Sequence, residues 1–199
     1  IREPVPTDTH AALQTVKERG LPVLGYAGTH GLANALDVLL DAAHLLKGKV
    51  ELVLVGTGPE RERLMRRVKD ERLSNVTMIP SVPKACMPAL LDEMDITFIG
   101  LLPEPLFRFG ISPNKLFDYM MAAKPIIQSI RAGNDLVTEV ECGITVPPND
   151  PAAIAKAALV IAAMEQEEKQ TMGQKGRAFI QAERTYEGLA RQFLKAMQS

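Results

Sequence analysis

The feature that most constrains this chain is the run Leu52-Val53-Leu54-Val55, which is apolar at every position. Successive strand residues point to opposite faces, so a strand with one face in water alternates apolar and polar residues. A continuously apolar strand has both faces covered, which is the habit of parallel sheets sandwiched between helices. Five comparable segments recur along the chain: "PVLGYAG" (22–28), "NVTMIP" (75–80), "DITFIGL" (95–101), "PIIQSI" (125–130) and "GITVPP" (143–148).

Helical patterns lie between them. "LANALDVLLDAAHLLKG" (32–48) places Leu36, Leu39, Leu40, Ala43 and Leu46 on one face and stops at Gly48. "PERERLMRRVKDERL" (59–73) reads as a charged surface helix with Pro59 at its start, and its charge run as a solvated face. "PALLDEM" (88–94) and "NDLVTEVEC" (134–142) read as short helices, "THAALQTVKERG" (9–20) as a leading one, and the chain from Asp150 onward as helical. Strand and helix alternating in this way predict an α/β fold, a doubly wound and mostly parallel six-stranded sheet with extra C-terminal helices. In the usual order 3-2-1-4-5-6 the winding reverses between the first and fourth strands, and ligands bind beyond the carboxyl ends of the strands there. The loops at that point are "GTHGLAN" (28–34) and "GLLPEPLFRFGISPNK" (100–115). The second is long for a connection in a compact domain, which marks it as functional.

With 199 residues the chain is long enough for one good-sized core. A formal net charge of −1 gives no general reason to expect nucleic acid or an anionic membrane as partner. No apolar run approaches the roughly 20 residues that span a bilayer. Cys86 and Cys142 are isolated, so neither a disulfide framework nor a zinc site is expected, and a reduced, cytoplasmic setting is the simplest reading. His10, His30 and His44 are scattered, and no metal site is expected. The opening "IREPVP" reads as a linker, with the expectation that the chain is a piece of something longer.

Within the long loop, Ser112 suits an N-cap and Pro113 the first helical position. A capping box would then place Glu or Gln at 115, but the residue is Lys115. A helix start favours an anion, so a lysine there is unfavourable by about 0.3–1 kcal/mol unless an anion arrives. Asn114, Lys115 and Asp118 share one face; Leu116, Phe117, Met120 and Met121 form the buried one. The residues alone leave two readings open. The polar face carries a cation for a diphosphate and a carboxylate for ribose hydroxyls, or Lys115 simply reaches out to water. "AGTHGLAN" (27–34) offers Gly28 and Gly31 for close backbone approach, a following helix start, and His30 as a donor to phosphate, or else it is an ordinary turn. "GTGPER" (56–61) resembles half of a dinucleotide fingerprint but has Arg61 where the third glycine belongs. Nicotinamide binding is therefore not expected, and Gly56, Thr57 and Gly58 are read as a turn beside the ligand. "AGND" (132–135) reads as a turn and N-cap before the next helix, or as a glycine loop that approaches a ligand. His44 reads as structural, Glu139 and Glu141 do not share a helix face, and no Ser-His-Asp or Cys-His arrangement emerges.

Taken together, "SPNKLFDYM" (112–120) followed by "KPII" (124–127), and "CGITVPPNDP" (142–151), resemble the C-terminal half of bacterial GT-B glycosyltransferases of the group 1, family 4 type. These build surface polysaccharide and lipopolysaccharide, and the similarity runs from about Gly25 to the terminal helices. The resemblance implies a Rossmann-like domain over 21–164 that holds a nucleotide-sugar donor, with UDP preferred over GDP or ADP. Residues 1–20 would be a linker and leading helix, and 165–199 helices packing on the domain. It implies a retaining transferase with no cofactor and no obligatory metal, and a partner N-terminal domain that binds an acceptor glycan or lipid-linked glycan. It further implies a cytoplasmic protein, peripheral at the inner membrane through that other half.

The family's motif has two glutamates eight positions apart. Asp118 stands at the second, to contact the ribose; the first falls at Gly110, so that carboxylate is missing. Family cations after the first strand are replaced by Thr29 and Asn34, leaving Lys115, helped by Arg108, to supply the charge. Ser81, Val82 and Lys84 would lie beside the base. Donor-binding residues are thus expected at Gly28, Thr29, His30, Gly31, Gly56, Thr57, Ser81, Val82, Lys84, Arg108, Ser112, Pro113, Asn114, Lys115 and Asp118, with Lys115 and Asp118 closest to the chemistry. Leu189, Phe193, Leu194 and Met197 would form a face bridging to the partner domain. A GT-B-shaped epimerase half and a non-catalytic α/β binding or interaction module are the competing readings.

Overall fold

All six apolar segments become strands: β1 (Val23–Ala27), β2 (Glu51–Val55), β3 (Val76–Ile79), β4 (Ile96–Gly100), β5 (Ile126–Ser129) and β6 (Gly143–Val146). The structure, a computed structural model, describes residues 2–184, 188, 190, 193, 194 and 197. The strands form one sheet in the order β3-β2-β1-β4-β5-β6, and every pairing is parallel. The expected winding reversal is therefore present, with β1 flanked by β2 on one side and β4 on the other.

Continuous hydrophobicity in the strands is explained by two cores. Leu24, Tyr26, Leu52, Leu54, Ile96 and Phe98 pack beneath α2 (Leu36–Leu46), α3 (Arg61–Asp70) and α7 (Pro151–Ala162). The alternate residues Val23, Ala27, Val53, Val55 and Ile99 face the other layer. That layer is built from α1 (Thr7–Lys17), α4 (Met87–Asp92), α5 (Asn114–Met121), α6 (Leu136–Glu139) and α8 (Gln166–Glu183). A fully buried aliphatic side chain is worth about 1.5–3 kcal/mol, so these two layers dominate the stability of the fold.

α8 approaches the end of α5 closely through Gly173 and Gly176. A Cβ at Gly173 would stand 1.9 Å from the Ala123 carbonyl oxygen. The charged α3 is more than a solvated face. Arg63 pairs with Asp37, and Arg67 joins Asp37, Asp41 and Glu71, which ties α3 to α2. His44, read as structural, is exposed, with its Nε2 2.8 Å from Glu71 Oε2.

Several local expectations are corrected. α3 begins at Arg61 with Glu60 at its N-cap, two residues beyond Pro59. A 3₁₀ turn, Leu32–Asn34, intervenes after β1, and α2 starts from Ala35 in the left-handed region, φ 52°. Ala35 and Leu36 are buried, so the start of α2 is sealed by core and not presented to a ligand. On α5, Met121 is exposed and Phe117 only half-buried, while Tyr119 takes the buried place. Among the described residues no helix is long and apolar enough to cross a membrane. Leu189 lies outside the described residues; Phe193, Leu194 and Met197 are exposed.

Candidate functional site

The carboxyl ends of β1 and β2 are laced together by their loops. Gly28 N–H donates to Val55 O at 2.9 Å, His30 N–H to Thr57 O at 2.8 Å and Glu60 N–H to His30 O at 3.0 Å. The approach is so close that a Cβ at Gly56 would meet the Gly28 carbonyl oxygen at 1.8 Å, and Gly56 has φ 155°. Glycine is required there. The result is a shallow crevice of about 210 Å³ lined by Gly28, Thr29, Val55, Gly56, Thr57, Ser81, Val82 and Met87.

α5 delivers Lys115 to the rim of this crevice. Its ammonium donates to Tyr26 Oη and to Asn34 Oδ1, both at 2.8 Å, and lies 4.4 Å from the centre of the Tyr26 ring. A Cβ on Gly28 would meet Lys115 Nζ at 3.1 Å. Tyr26 is in turn fixed by donating to the Thr29 carbonyl at 2.6 Å. Tyr119 Oη accepts from Ala27 N at 2.9 Å and anchors the middle of α5 to the end of β1. All of these partners are neutral, and no ion pair to Lys115 occurs among the described residues. Burial pushes its pKa down to about 8. A half-buried cation with only neutral acceptors is an incomplete electrostatic arrangement that an anion completes. Lys115 is therefore not simply extended into water.

The neighbouring cleft, about 470 Å³, shares Val82 and Met87 with the crevice and runs past Lys84 and Asp118 to Met121 and Arg177. Burial raises the Asp118 pKa, and the Lys84 ammonium partly offsets this. The crevice and this cleft thus gather Gly28, Thr29, Gly56, Thr57, Ser81, Val82 and, through the hydrogen-bonded ammonium, Lys115; Lys84 and Asp118 line the adjoining space. A larger cavity, about 980 Å³ between β6 and α8, contains none of these residues.

Other expected residues behave differently. The His30 ring is fully buried with neither nitrogen hydrogen-bonded, and burial, then the charges of Arg61 and Lys115, lower its pKa to about 4. It is a neutral imidazole beneath the loop, not a donor facing the crevice. Ser112 does not cap α5: the N-cap position belongs to Pro113, with no side-chain cap, and the helix starts at Asn114. Pro113 supplies an extended residue, φ −74° and ψ 123°, and its carbonyl receives the Leu116 N–H. Asn114 is exposed at that helix start. Gly31 lies within the β1 loop, where a Cβ would stand 3.5 Å from Asn34 Nδ2. Arg108 stacks on the Phe109 ring at 4.6 Å and does not join Lys115.

Sequence reasoning missed Tyr26 and Tyr119. Each is a tyrosine in an otherwise apolar pattern, and a buried hydroxyl needs a partner, which was the available signal. Asn134, read as part of a turn or of a glycine loop near a ligand, grips the loop before α5, and nothing local in "AGND" announces that partner. The same turn does supply Asp135, the N-cap of α6, which accepts from Thr138 N as expected.

Residues 21–164 match the sequence profile of the family described as glycosyl transferases group 1. The chain belongs to this family. It is 25% identical over 157 residues to the probable glycosyltransferase WbjE of Pseudomonas aeruginosa, a match covering 77% of this chain and 39% of that protein. Among solved structures it is similar to sucrose-phosphate synthase of Thermosynechococcus elongatus, with TM-score 0.76, 23% identity and coverage of 99% of this chain and 49% of that one. Anabaena HepE, solved in complex with UDP-glucose, gives TM-score 0.74 at 18% identity, covering 97% and 53%. The fold is that of the C-terminal half of GT-B enzymes, and this glycosyltransferase chain spans about half or less of these relatives.

Proposed function

We propose that this group 1 glycosyltransferase chain is the donor-binding half of a retaining enzyme that uses a UDP-sugar. The observation that carries the reading is Lys115, a half-buried cation held at the crevice by Tyr26 and Asn34 with no anion paired to it among the described residues. The diphosphate lies against that ammonium and the backbone of Gly28 and Gly56. Asp118 takes the ribose hydroxyls, and Ser81, Val82 and Lys84 flank the base. HepE's complex with UDP-glucose supports UDP as the nucleotide.

In the reaction the bond between the anomeric carbon and the diphosphate oxygen breaks, and the electron pair stays on that oxygen. Lys115 stabilises the negative charge that develops there, an electrostatic contribution of the oxyanion-hole kind. No step is assigned to a metal; among the described residues no three His, Cys, Asp or Glu side chains converge as a metal-binding group. Residues 21–164 form the donor domain and the later helices pack on it. A Rossmann-like partner domain supplies the acceptor, a polysaccharide or lipopolysaccharide precursor, at the cytoplasmic face of the inner membrane.

The test is titration of the chain with UDP, GDP and ADP. UDP binds most tightly. Lys115→Met weakens it about 10- to 100-fold, the scale of a lost charge-assisted hydrogen bond. Asp118→Asn weakens it about 3- to 10-fold. Unchanged affinity in both variants would move the site elsewhere, and no binding of any of the three at millimolar concentration would favour a non-catalytic module.

A further inference from the structure

The two clefts beside Lys115 lie over the ends of β1, β2 and β3 and beneath α4 and α5. On the other side of Lys115, over the ends of β4 and β5, two loops meet: residues 101–113, leading into α5, and residues 130–135, leading into α6. Their junction is a built one. Asn134 Oδ1 accepts from Ile111 N at 2.8 Å, and Asn134 Nδ2 donates to Ile111 O at 3.0 Å. Gly133 N–H donates to Phe107 O at 2.8 Å, and a Cβ at Gly133 would stand 2.2 Å from the Arg108 carbonyl oxygen.

Gly110 sits at the centre of this junction with φ 99°, and a Cβ there would meet Asn134 Oδ1 at 3.2 Å. The carboxamide of Asn134 therefore reaches the space that a side chain at 110 would enter. Asn134 is itself held from the sheet. Its neighbour Asp135 accepts from Gln128 Nε2 at 3.0 Å and from Thr145 Oγ1 at 2.8 Å, and Gln128 is buried. A chain of contacts thus runs from the ends of β5 and β6, through Asp135 and Asn134, to the backbone just before α5. Lys115 does not depend on it, because Tyr26 and Asn34 hold the ammonium from the β1 side.

Resting on the donor-binding reading, we propose that Asn134 is a positioning residue for the transferred sugar. A donor is linear: nucleoside, diphosphate, sugar. With the nucleoside over β1 to β3 and the diphosphate at Lys115, the sugar falls against the segment 110–113. By pairing with both polar groups of Ile111, Asn134 fixes which backbone groups that segment presents.

The experiment compares UDP with UDP-glucose, UDP-galactose and UDP-N-acetylglucosamine on the same chain, in wild type, Asn134→Ala and Asn134→Asp. In the wild type at least one UDP-sugar binds with an affinity at least threefold different from that of UDP. In Asn134→Ala that difference collapses to within twofold, while UDP itself changes by less than twofold. Asn134→Asp keeps the acceptor for Ile111 N–H and retains part of the difference, which a general loss of folding would not. Three results overturn the proposal: equal affinities for UDP and every sugar in the wild type, a sugar preference that survives Asn134→Ala, or a loss of UDP binding equal to the loss of sugar binding. Failure of the wild type to bind UDP at all would instead sink the donor-binding reading beneath it.

Discussion

Lys115 is a cation that burial disfavours, and no opposite charge among the described residues offsets this. Its pKa of about 8 lies below the ordinary lysine value of about 10.4. Between those two pH values the unfolded chain binds more protons at this site than the folded one. The ligand-free protein therefore gains stability as pH rises through that window, by up to an amount on the order of 3 kcal/mol. Ligand binding has the opposite sign. An anion at Nζ favours the ammonium, so UDP affinity is flat below pH 8 and falls above it, by up to tenfold per unit. Calorimetric titration from pH 6.5 to 9.5 reads this directly. Lys115→Arg, permanently charged, removes the dependence on the lysine, and so does Lys115→Met at lower affinity; a slope that persists in Lys115→Met belongs to another group. That a lysine stood at a helix start was visible in the sequence. That its partners are a tyrosine and an asparagine 89 and 81 residues away was not, because no local pattern links strand β1 to α5 across the chain.

Elements were legible wherever hydrophobic period alone decides them, as in the six strands and in α2. They were misread where a turn competes with a helix start. Before α2, the 3₁₀ turn Leu32–Asn34 and the left-handed Ala35 take up the chain that an immediate helix would have used. At α5, the extended Pro113 moves the helix start beyond Ser112. The α5 shift of one residue is the usual uncertainty of helix ends, whereas the α2 start moves four residues, and both change which N–H groups stand at the helix start. The helix α8 carries its own test. Gly173→Ala places a methyl against the Ala123 carbonyl oxygen, where the ideal Cβ distance is 1.9 Å. Overpacking of this kind costs about 1–3 kcal/mol. Urea denaturation of the variant gives a lower midpoint with unchanged slope, and a midpoint equal to wild type would mean that α8 does not dock on α5 as described.

For the whole molecule the consequence of the donor-binding reading is a division of labour. The chain spans 39% of its relative WbjE and provides one wall of a crevice. On that reading the expected outcome is that the chain binds UDP-sugar and transfers nothing to an added acceptor. Radiolabelled sugar appearing in acceptor on incubation with this chain alone would contradict that assignment. The fold class, the strand order and the switch point between β1 and β4 followed from sequence, since burying continuous apolar strands on both faces leaves few architectures. The sequence also pointed to the place of the candidate site, since loops converge at the carboxyl ends of the parallel strands where the winding reverses. Which side chains meet there was decided by tertiary structure: it buried His30, turned Arg108 onto Phe109, joined Lys115 to Tyr26 and set Asn134 against Ile111. The physical reason is that burial patterns repeat every two or 3.6 residues along the chain, whereas hydrogen-bond partners and charge are matched across space between segments that carry no trace of one another.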